Sequence, residues 1–135
     1  MNRELVILEK TSDGGYSSYL PTLPGCIATS DSIHQVKEQI KEAVDFHIEG
    51  MIQESLTVPE AFMGEFELAY KMDIASLFDW FSGVLTKSGI SRLTGMNQSL
   101  ISQYASGIKV PSTKQSKKIE DALHGLGKEL MDIEL

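Results

Sequence analysis

Hydrophobic and polar positions follow two different periods along the chain, and the first half has the pattern of strands around one helix. A short apolar run at residues 5–8 precedes an Asp-Gly-Gly turn at 13–15, which predicts a hairpin because glycine accepts positive φ without steric cost. Residues 16–20 form the expected return strand, and 26–29 a third strand. Apolar and polar residues alternate again at 66–72, which predicts a fourth strand with one buried face.

A long amphipathic helix is predicted between the third and fourth strands. Ser32 and Gln35 have the spacing of a capping box, in which each side chain satisfies a backbone N–H of the first turn. Apolar residues then recur every three or four positions: Ile33, Val36, Ile40, Val44, Ile48 and Met51. One apolar stripe predicts packing on the sheet, so residues 1–72 are expected to form a β-β-β-α-β domain of the α+β class.

After the fourth strand the periodicity is helical, which predicts an all-α domain over residues 73–135. Asp73 is the expected N-cap of its first helix. The apolar positions of that helix are Leu77, Phe78, Phe81 and Leu85. Two short helices are predicted over 88–94 and 98–106, and a fourth opens at 111–113. The inner face of the fourth helix is expected to carry Ile119, Ala122, Leu123, Leu126 and Leu130.

Charge is distributed unequally between the two halves. The chain has a net charge of −7, and residues 1–70 hold 4 basic and 12 acidic side chains. Residues 80–119 contain no Asp or Glu but six Lys or Arg. A basic surface suits phosphate and an acidic surface suits a basic protein, so the two halves are expected to bind different partners.

Composition narrows the class of protein further. With 135 residues and 41% hydrophobic content, the chain is expected to form one or two small globular domains. The single cysteine, Cys26, excludes an intrachain disulfide and favours a reducing, cytoplasmic setting. The sequence has no run of about 18 apolar residues and no signal-peptide core at its start, so we expect no membrane association. It has no glycine-rich phosphate loop and no multi-cysteine metal site, so no cofactor is expected.

The two short helices joined at residues 95–97 are the strongest functional signal. A helix-turn-helix needs a tight turn between steeply crossed helices, for which Gly95 supplies the turn, Met96 fills the core and Ile101 anchors the second helix. The second helix is expected to expose hydrogen-bonding side chains and no acid: Gln98, Ser99, Ser102, Gln103 and Tyr104. Such side chains contact base edges and phosphates of DNA. A small helical bundle with a neutral surface is the alternative interpretation.

Residues 95–104, followed by Gly107 and Pro111, resemble the Xre/Cro-type helix-turn-helix. The pattern of that family is Gly-hydrophobic-Ser, a recognition helix that ends near Gly, and then Pro. This chain departs from the usual residues at Ser91, Thr94 and Ala105. The implied DNA contacts are bases for Gln98, Ser99, Ser102 and Gln103, with Tyr104 beside them, and phosphates for Asn97, Lys109 and Lys114. Two half-sites roughly 34 Å apart imply a homodimer or a higher homo-oligomer.

The N-terminal half resembles the HicB antitoxin family. The resemblance covers residues 5–54 and rests on the Gly-Gly-Tyr triplet at 14–16, the Leu-Pro-Gly-Cys element at 23–26 and the capped helix. Thr22 stands where that family usually has Asp. The resemblance implies a partial RNase H-like fold that blocks the active site of HicA, a small mRNA-degrading toxin. Together with the helix-turn-helix, it implies an antitoxin that also represses its own operon by binding operator double-stranded DNA.

Two other functions are weighed against the antitoxin. One is a stand-alone helix-turn-helix transcriptional regulator whose N-terminal domain senses a ligand or another protein. The other is a nuclease of the RNase H type, which needs several carboxylates around two metal ions. Glu4 and Glu9 have opposite parity on one strand and Asp13 lies in a turn, so a non-enzymatic protein without a metal site is expected. The sequence does not locate the toxin contacts and leaves two places open for them, a strand edge near residues 15–20 and the segment after Tyr70.

Overall fold

The computed structural model describes residues 2–135, which divide into two compact units. Unit 1 ends at Met72, and unit 2 comprises Asp73–Leu135. The elements of unit 1 are β1 (Asn2–Lys10), β2 (Tyr16–Tyr19), β3 (Ile27–Ser30), α1 (Ile33–Gln53), a 3-10 helix (Glu60–Phe62) and β4 (Phe66–Lys71). Those of unit 2 are the helices α2 (Ile74–Trp80), α3 (Lys87–Thr94), α4 (Gln98–Ala105) and α5 (Thr113–Met131). The predicted order of strands and helices is confirmed.

The strands of unit 1 form a mixed sheet in the order β3-β2-β1-β4. β1 pairs antiparallel with β2, and β2 pairs antiparallel with β3. β4 lies parallel to β1, with Phe66 opposite Asn2. A parallel neighbour needs a crossover connection, and α1 lies within it. β2 is therefore an inner strand, and β3 and β4 form the edges of the sheet.

α1 packs on one face of this sheet through its predicted apolar stripe. Val6 and Leu8 are buried, whereas the residues on either side of them are more exposed. Successive side chains of a strand point to opposite faces, so this alternation is expected. Val36, Ile40 and Val44 of α1 are buried opposite them, at no more than 1% exposure. The first four positions of the predicted stripe, Ile33 to Val44, are confirmed as part of the core of unit 1, and the last two, Ile48 and Met51, are half-buried.

The start of α1 is capped as the sequence indicates, with one difference. The Ser32 hydroxyl accepts a hydrogen bond from the Gln35 backbone N–H at 3.1 Å, which satisfies one of the unpaired donors of the first turn. The Gln35 side chain accepts from the Ser30 hydroxyl at 2.8 Å instead of turning back to the cap, so it ties α1 to β3. Further along α1, the Lys37 ammonium lies 4.5 Å from the centre of the Tyr70 ring on β4. Partial burial lowers the pKa of Lys37 and raises that of Tyr70.

The helices of unit 2 surround a small core of six buried side chains: Phe78, Ile90, Met96, Ile101, Tyr104 and Ile119. The predicted cap of α2 is confirmed, because the Asp73 carboxylate accepts from the Ser76 N–H at 2.7 Å. α2 ends at Trp80, so Leu85 lies beyond the helix and packs against the core from a turn. Across residues 2–135, no helix is long and apolar enough to cross a membrane.

Fewer residues of α5 face the core than the apolar pattern of the helix predicts. Ile119 is buried, Leu123 packs against the core, and Leu126 is half-buried. Leu130, which the same pattern places inside, is 58% exposed, so that expectation is wrong. The reason is that α5 extends beyond the other helices of unit 2 and has no neighbour there to cover its last turn.

Candidate functional sites

The turn between α3 and α4 has the geometry that a helix-turn-helix requires. α3 is capped by Thr86, whose hydroxyl accepts from the Gly89 N–H at 3.0 Å. Gly95 ends α3 with φ of +72°, in the left-handed region where a side chain would be strained. Met96 then points into the core at 6% exposure, as the sequence predicts. The chain reverses within three residues and α4 begins directly after Asn97.

Two hydroxyl groups hold this turn, and sequence reasoning did not assign them a role. The Ser91 hydroxyl donates to the Met96 carbonyl oxygen at 2.5 Å. The buried Thr94 hydroxyl donates to the Ile90 carbonyl at 2.7 Å and accepts from the Met96 N–H at 3.2 Å. These are two positions where the chain departs from the usual Xre/Cro residues. Two hydroxyl residues near the end of a helix that stops at a glycine are the signal that could have identified them.

The first turn of α4 presents polar side chains away from the core. The Asn97 side-chain oxygen accepts from the Ser99 N–H at 2.7 Å and caps the helix, which leaves its amide nitrogen as the group that can donate to a phosphate. Gln98 and Ser99 are exposed. Ser102 and Gln103, one turn later, are half-buried. Since residues 98 and 102 are four positions apart, as are 99 and 103, their side chains are neighbours on the surface of α4.

Tyr104 does not belong to that surface. Its side chain is 6% exposed and lies in the core cluster with Ile101 and Ile119. The expectation that Tyr104 is exposed beside the DNA-contacting residues is therefore wrong. Its position three residues after Ile101 puts it on the same side of the helix, and helical periodicity favours the core over the surface there.

The candidate phosphate-binding lysines lie at two places after α4. The Lys109 backbone N–H donates to the Gln103 carbonyl at 3.2 Å, which holds the exposed Lys109 next to the end of α4. Lys114 is exposed in the first turn of α5. Lys117, in contrast, lies 3.1 Å from Asp121 and 3.6 Å from Glu120. The hydrogen bond and charge of Asp121 raise the pKa of Lys117, so the acids just beyond residue 119 neutralise part of the basic stretch.

The hairpin of unit 1 carries a carboxylate that is used locally. Asp13 accepts hydrogen bonds from the Thr11 hydroxyl and from the Gly15 N–H, and these bonds lower its pKa. Gly15 has little room, because a Cβ there would lie 3.0 Å from the Ser30 carbonyl oxygen. Cys26 is buried, and burial raises the pKa of its thiol, which opposes a nucleophilic role. These residues shape the fold of unit 1.

The face of the sheet that α1 leaves uncovered contains a row of apolar side chains. Ile7 on β1 pairs with Tyr19 on β2, and Tyr19 pairs with Ile27 on β3. Ile27 is 62% exposed, and Tyr19 and Leu5 are also exposed. Exposed apolar groups in a contiguous row are a common feature of protein-binding surfaces. Sequence reasoning missed this surface because it depends on the register across three strands.

The strand edge expected at residues 15–20 is not present. β2 is hydrogen-bonded to β1 on one side and to β3 on the other, so its backbone groups are used within the sheet. Of the two places left open for toxin contacts, a free strand edge on β2 is therefore not available. The open edges belong to β3 and β4, and the segment after Tyr70 completes β4 and leads to Asp73.

Acidic and histidine side chains of unit 1 lie apart or in solvent. Glu4 accepts from the Thr22 hydroxyl at 3.0 Å, whereas Glu9 lies on the opposite face of β1. His34 and Glu38 form an exposed pair on α1 with 3.4 Å between their polar atoms. Within residues 2–135, no group of three or more His, Cys, Asp or Glu side chains could hold a metal ion.

Comparison with known proteins identifies the class of unit 1. Residues 5–76 match the HicB-like antitoxin family of bacterial toxin–antitoxin systems. The match covers more than half of the chain, from β1 into the start of α2, and the chain belongs to that family. An antitoxin acts by binding its toxin, so membership implies a toxin as partner and indicates a non-enzymatic role.

Relatives of this chain come from a bacterium, a phage and an archaeon. A UPF0150 protein of Synechocystis sp. is 40% identical over 55 residues, which are 41% of this chain and 70% of that protein. An uncharacterised 14.9 kDa protein in the rep-hol intergenic region of Haemophilus phage HP1 is 36% identical over 56 residues, 42% of this chain and 41% of that protein. A UPF0150 protein of Archaeoglobus fulgidus is 36% identical over 44 residues, 33% of this chain and 64% of that protein.

Proposed function

We propose that unit 1 binds and neutralises a HicA-like mRNA interferase, and that unit 2 binds operator DNA and represses the operon that encodes both proteins. We further propose that unit 1 is a partial RNase H-like domain and unit 2 an Xre/Cro-type helix-turn-helix domain, acting in the cytoplasm. The sheet order β3-β2-β1-β4 with a parallel β4 supports the first assignment. The glycine turn between α3 and α4 supports the second.

The observation that carries the toxin-binding function is the family match over residues 5–76. The acidity of the same region supports it, since residues 1–70 contain 12 acidic and 4 basic side chains. A toxin that binds RNA needs a basic surface, and opposite charges accelerate association and select the partner. Occupation of that basic surface by an acidic domain would exclude mRNA from it.

The DNA-binding function is supported by the polar first turn of α4. Exposed Gln98 and Ser99 carry the hydrogen-bonding groups that distinguish bases in the major groove, and Ser102 and Gln103 lie behind them. The exposed residues Asn97, Lys109 and Lys114 carry donors that suit phosphates. A homodimer would place two such helices in successive major grooves roughly 34 Å apart.

Co-expression with the immediately neighbouring reading frame tests this proposal. We expect the neighbour to encode a short basic protein that stops growth when expressed alone. Growth should return when this chain is co-expressed, and the two proteins should purify together. As a control, the neighbour is expressed with an unrelated acidic protein of similar size, which should leave growth arrested.

A harmless neighbour that does not bind this chain would contradict the toxin part of the proposal. A stand-alone transcriptional regulator would then be the better interpretation, with a ligand or another protein bound by unit 1. Operator binding is measured separately, on purified protein and the DNA upstream of the operon, so the two parts of the proposal are tested independently.

A further inference from the structure

An apolar groove lies within unit 2 between α3, the turn before it and α5. It has a volume of about 410 Å³. Its walls include Val84, Leu85, Ile90, Arg92, Leu93 and Leu126. Val84 is 74% exposed and Leu93 is 43% exposed, so apolar side chains at the mouth of the groove remain in contact with solvent. We call it the α3–α5 groove.

The α3 side of this groove is basic. Arg92 lines it, and Lys87 precedes the groove-lining Gly89 by two residues at the exposed start of α3. Both cations belong to residues 80–119, which contain no Asp or Glu. An occupant that combines apolar side chains with negative charge would therefore match the groove in both respects.

Residues 129–135 of the same chain have this composition. The segment contains three acidic and four apolar side chains and no basic one, in the order Glu129, Leu130, Met131, Asp132, Ile133, Glu134 and Leu135. The apolar members are exposed, at 58% for Leu130, 87% for Met131 and 59% for Ile133. The segment is ordered as the last turn of α5 and a following turn, with the Ile133 N–H donating to the Leu130 carbonyl at 3.3 Å.

The geometry of α5 prevents this segment from entering the groove of its own chain. Leu126 lines the groove, and α5 continues without a break to Met131. Each helical residue advances the chain by about 1.5 Å, so Glu129, Leu130 and Met131 extend away from Leu126 along the axis of α5, and none of residues 129–135 lines the groove. A return would require the last turns of α5 to unwind. A second copy can present the segment to the groove without that cost.

We propose that the α3–α5 groove of one copy binds residues 129–135 of a second copy, reciprocally, and that this exchange forms a two-fold dimer. An interface of this kind is self-complementary, as closed homodimers require. None of the groove-lining residues named above is a proposed DNA contact, so α4 of each copy stays exposed. The inference supplies a surface for the homodimer in the proposed function, and it is tested without toxin or DNA, so the two can fail separately.

Sedimentation equilibrium of the purified full chain measures the dimer dissociation constant directly. Replacing Leu130 and Ile133 together by Asp should raise this constant by at least about tenfold, because a carboxylate would face an apolar wall. The matched control replaces Ile108 and Val110 by Asp, since they are exposed by 75% and 89% and lie outside the groove. The control should change the constant less than about twofold. Thermal unfolding shows whether each variant is folded.

Charge exchange between two copies gives the sharper test. The variant Arg92→Glu should be mainly monomeric, because its groove repels the acidic segment of another copy. The variant Glu129→Lys, Asp132→Lys, Glu134→Lys should also be mainly monomeric, because its basic segment meets Arg92. An equimolar mixture should dimerise with nearly the wild-type dissociation constant, since each segment then meets a groove of opposite charge.

Three results would overturn the inference. One is a wild-type chain that stays monomeric at every concentration measured. Another is a dimer whose dissociation constant is unchanged by the Asp replacements at Leu130 and Ile133 and by both charge variants, which would place the interface elsewhere. The last is a mixture of the two charge variants that fails to associate.

Discussion

The two units differ in how their structures are stabilised. Unit 1 has a four-stranded sheet, in which β1 and β4 pair from opposite ends of the unit, and a 21-residue helix, α1, that packs on it. In unit 2, α3 and α4 have eight residues each. Isolated helices shorter than about 12–15 residues are marginal in water, so capping residues and a small shared core must stabilise them. Unit 2 should therefore respond more strongly to single local changes.

The units also differ in what identifies their roles. The family match ends at residue 76, so it includes unit 1 and only the beginning of α2. The role of unit 2 rests on the chemistry of its own residues. The units also differ in charge. Residues 1–70 contain more acidic than basic side chains, whereas residues 80–119 contain basic side chains and no Asp or Glu. The proposed binding of a basic protein by unit 1 and of DNA by unit 2 would therefore use regions of opposite charge.

The largest expected effect comes from removing one core side chain in either unit. Ile101 of unit 2 and Ile40 of unit 1 are both fully buried, at 0% exposure. Ile101→Ala and Ile40→Ala should each lower the free energy of unfolding by about 2–5 kcal/mol, through lost burial and the cavity left behind. The single tryptophan, Trp80, lies on α2 and reports unit 2 by its fluorescence. Urea unfolding should show a large shift of the Trp80 transition for Ile101→Ala.

The matched variant tests whether the two units are independent. Ile40→Ala should leave the Trp80 transition nearly unchanged while it shifts the unfolding of unit 1 seen by circular dichroism. If both variants moved the fluorescence transition equally, the units would unfold as one cooperative structure. The two units would then not differ in stability, because neither could unfold without the other.

A second, smaller effect separates base contacts from phosphate contacts in the proposed DNA-binding site. Replacing Gln98 and Gln103 by Ala should cost about 1–3 kcal/mol of sequence discrimination for each base contact that is lost. Replacing Lys109 and Lys114 by Ala should weaken binding to all sequences and reduce the salt slope by about two. Fluorescence anisotropy with operator and scrambled DNA, across a series of salt concentrations, measures both quantities.

The two pairs of variants serve as controls for each other. Unchanged operator preference in the glutamine pair would refute the assignment of those residues to bases. An unchanged salt slope in the lysine pair would move the phosphate contacts to other residues of unit 2. Toxin neutralisation should be retained in both pairs, because unit 1 is unaltered.

The sequence predicted best those features whose partners lie within a few residues. The caps at Ser32 and Asp73 depend on a backbone N–H three positions away, and both are present. The parallel pairing of β1 with β4 joins residues far apart in the chain, and no local pattern indicated it. The hydrophobic period predicted a buried Leu130, which is exposed. The period indicates which face of a helix is apolar but not how far along the helix its neighbours extend.

The candidate sites show the same division between local and long-range information. The turn at Gly95 and the polar residues of α4 could be predicted, since glycine and helical spacing act locally. The burial of Tyr104 depends on how tightly α4 meets the other helices, and its amphipathic side chain suits either a core or a surface. The apolar row on the sheet depends on register, which the sequence alone did not determine.

The smallest predicted effect compares glycines whose replacement should act in opposite directions. Gly95 has φ of +72° and open space where a Cβ would lie, so Gly95→Ala is opposed only by the backbone conformation. The cost should be about 1–2 kcal/mol. Gly127 lies inside α5, also with open space, and Gly127→Ala should stabilise unit 2 by about 0.5–1 kcal/mol.

Urea unfolding followed by Trp80 fluorescence should therefore shift to lower urea for Gly95→Ala and to higher urea for Gly127→Ala. Gly50→Ala is the control in unit 1, because Gly50 lies inside α1 with open space around it. It should stabilise unit 1 and leave the Trp80 transition unchanged. A Gly95→Ala variant as stable as wild type would mean that the turn can adopt another conformation. The stability of unit 2 would then not depend on the left-handed conformation of Gly95, and single local changes would affect unit 2 no more than unit 1.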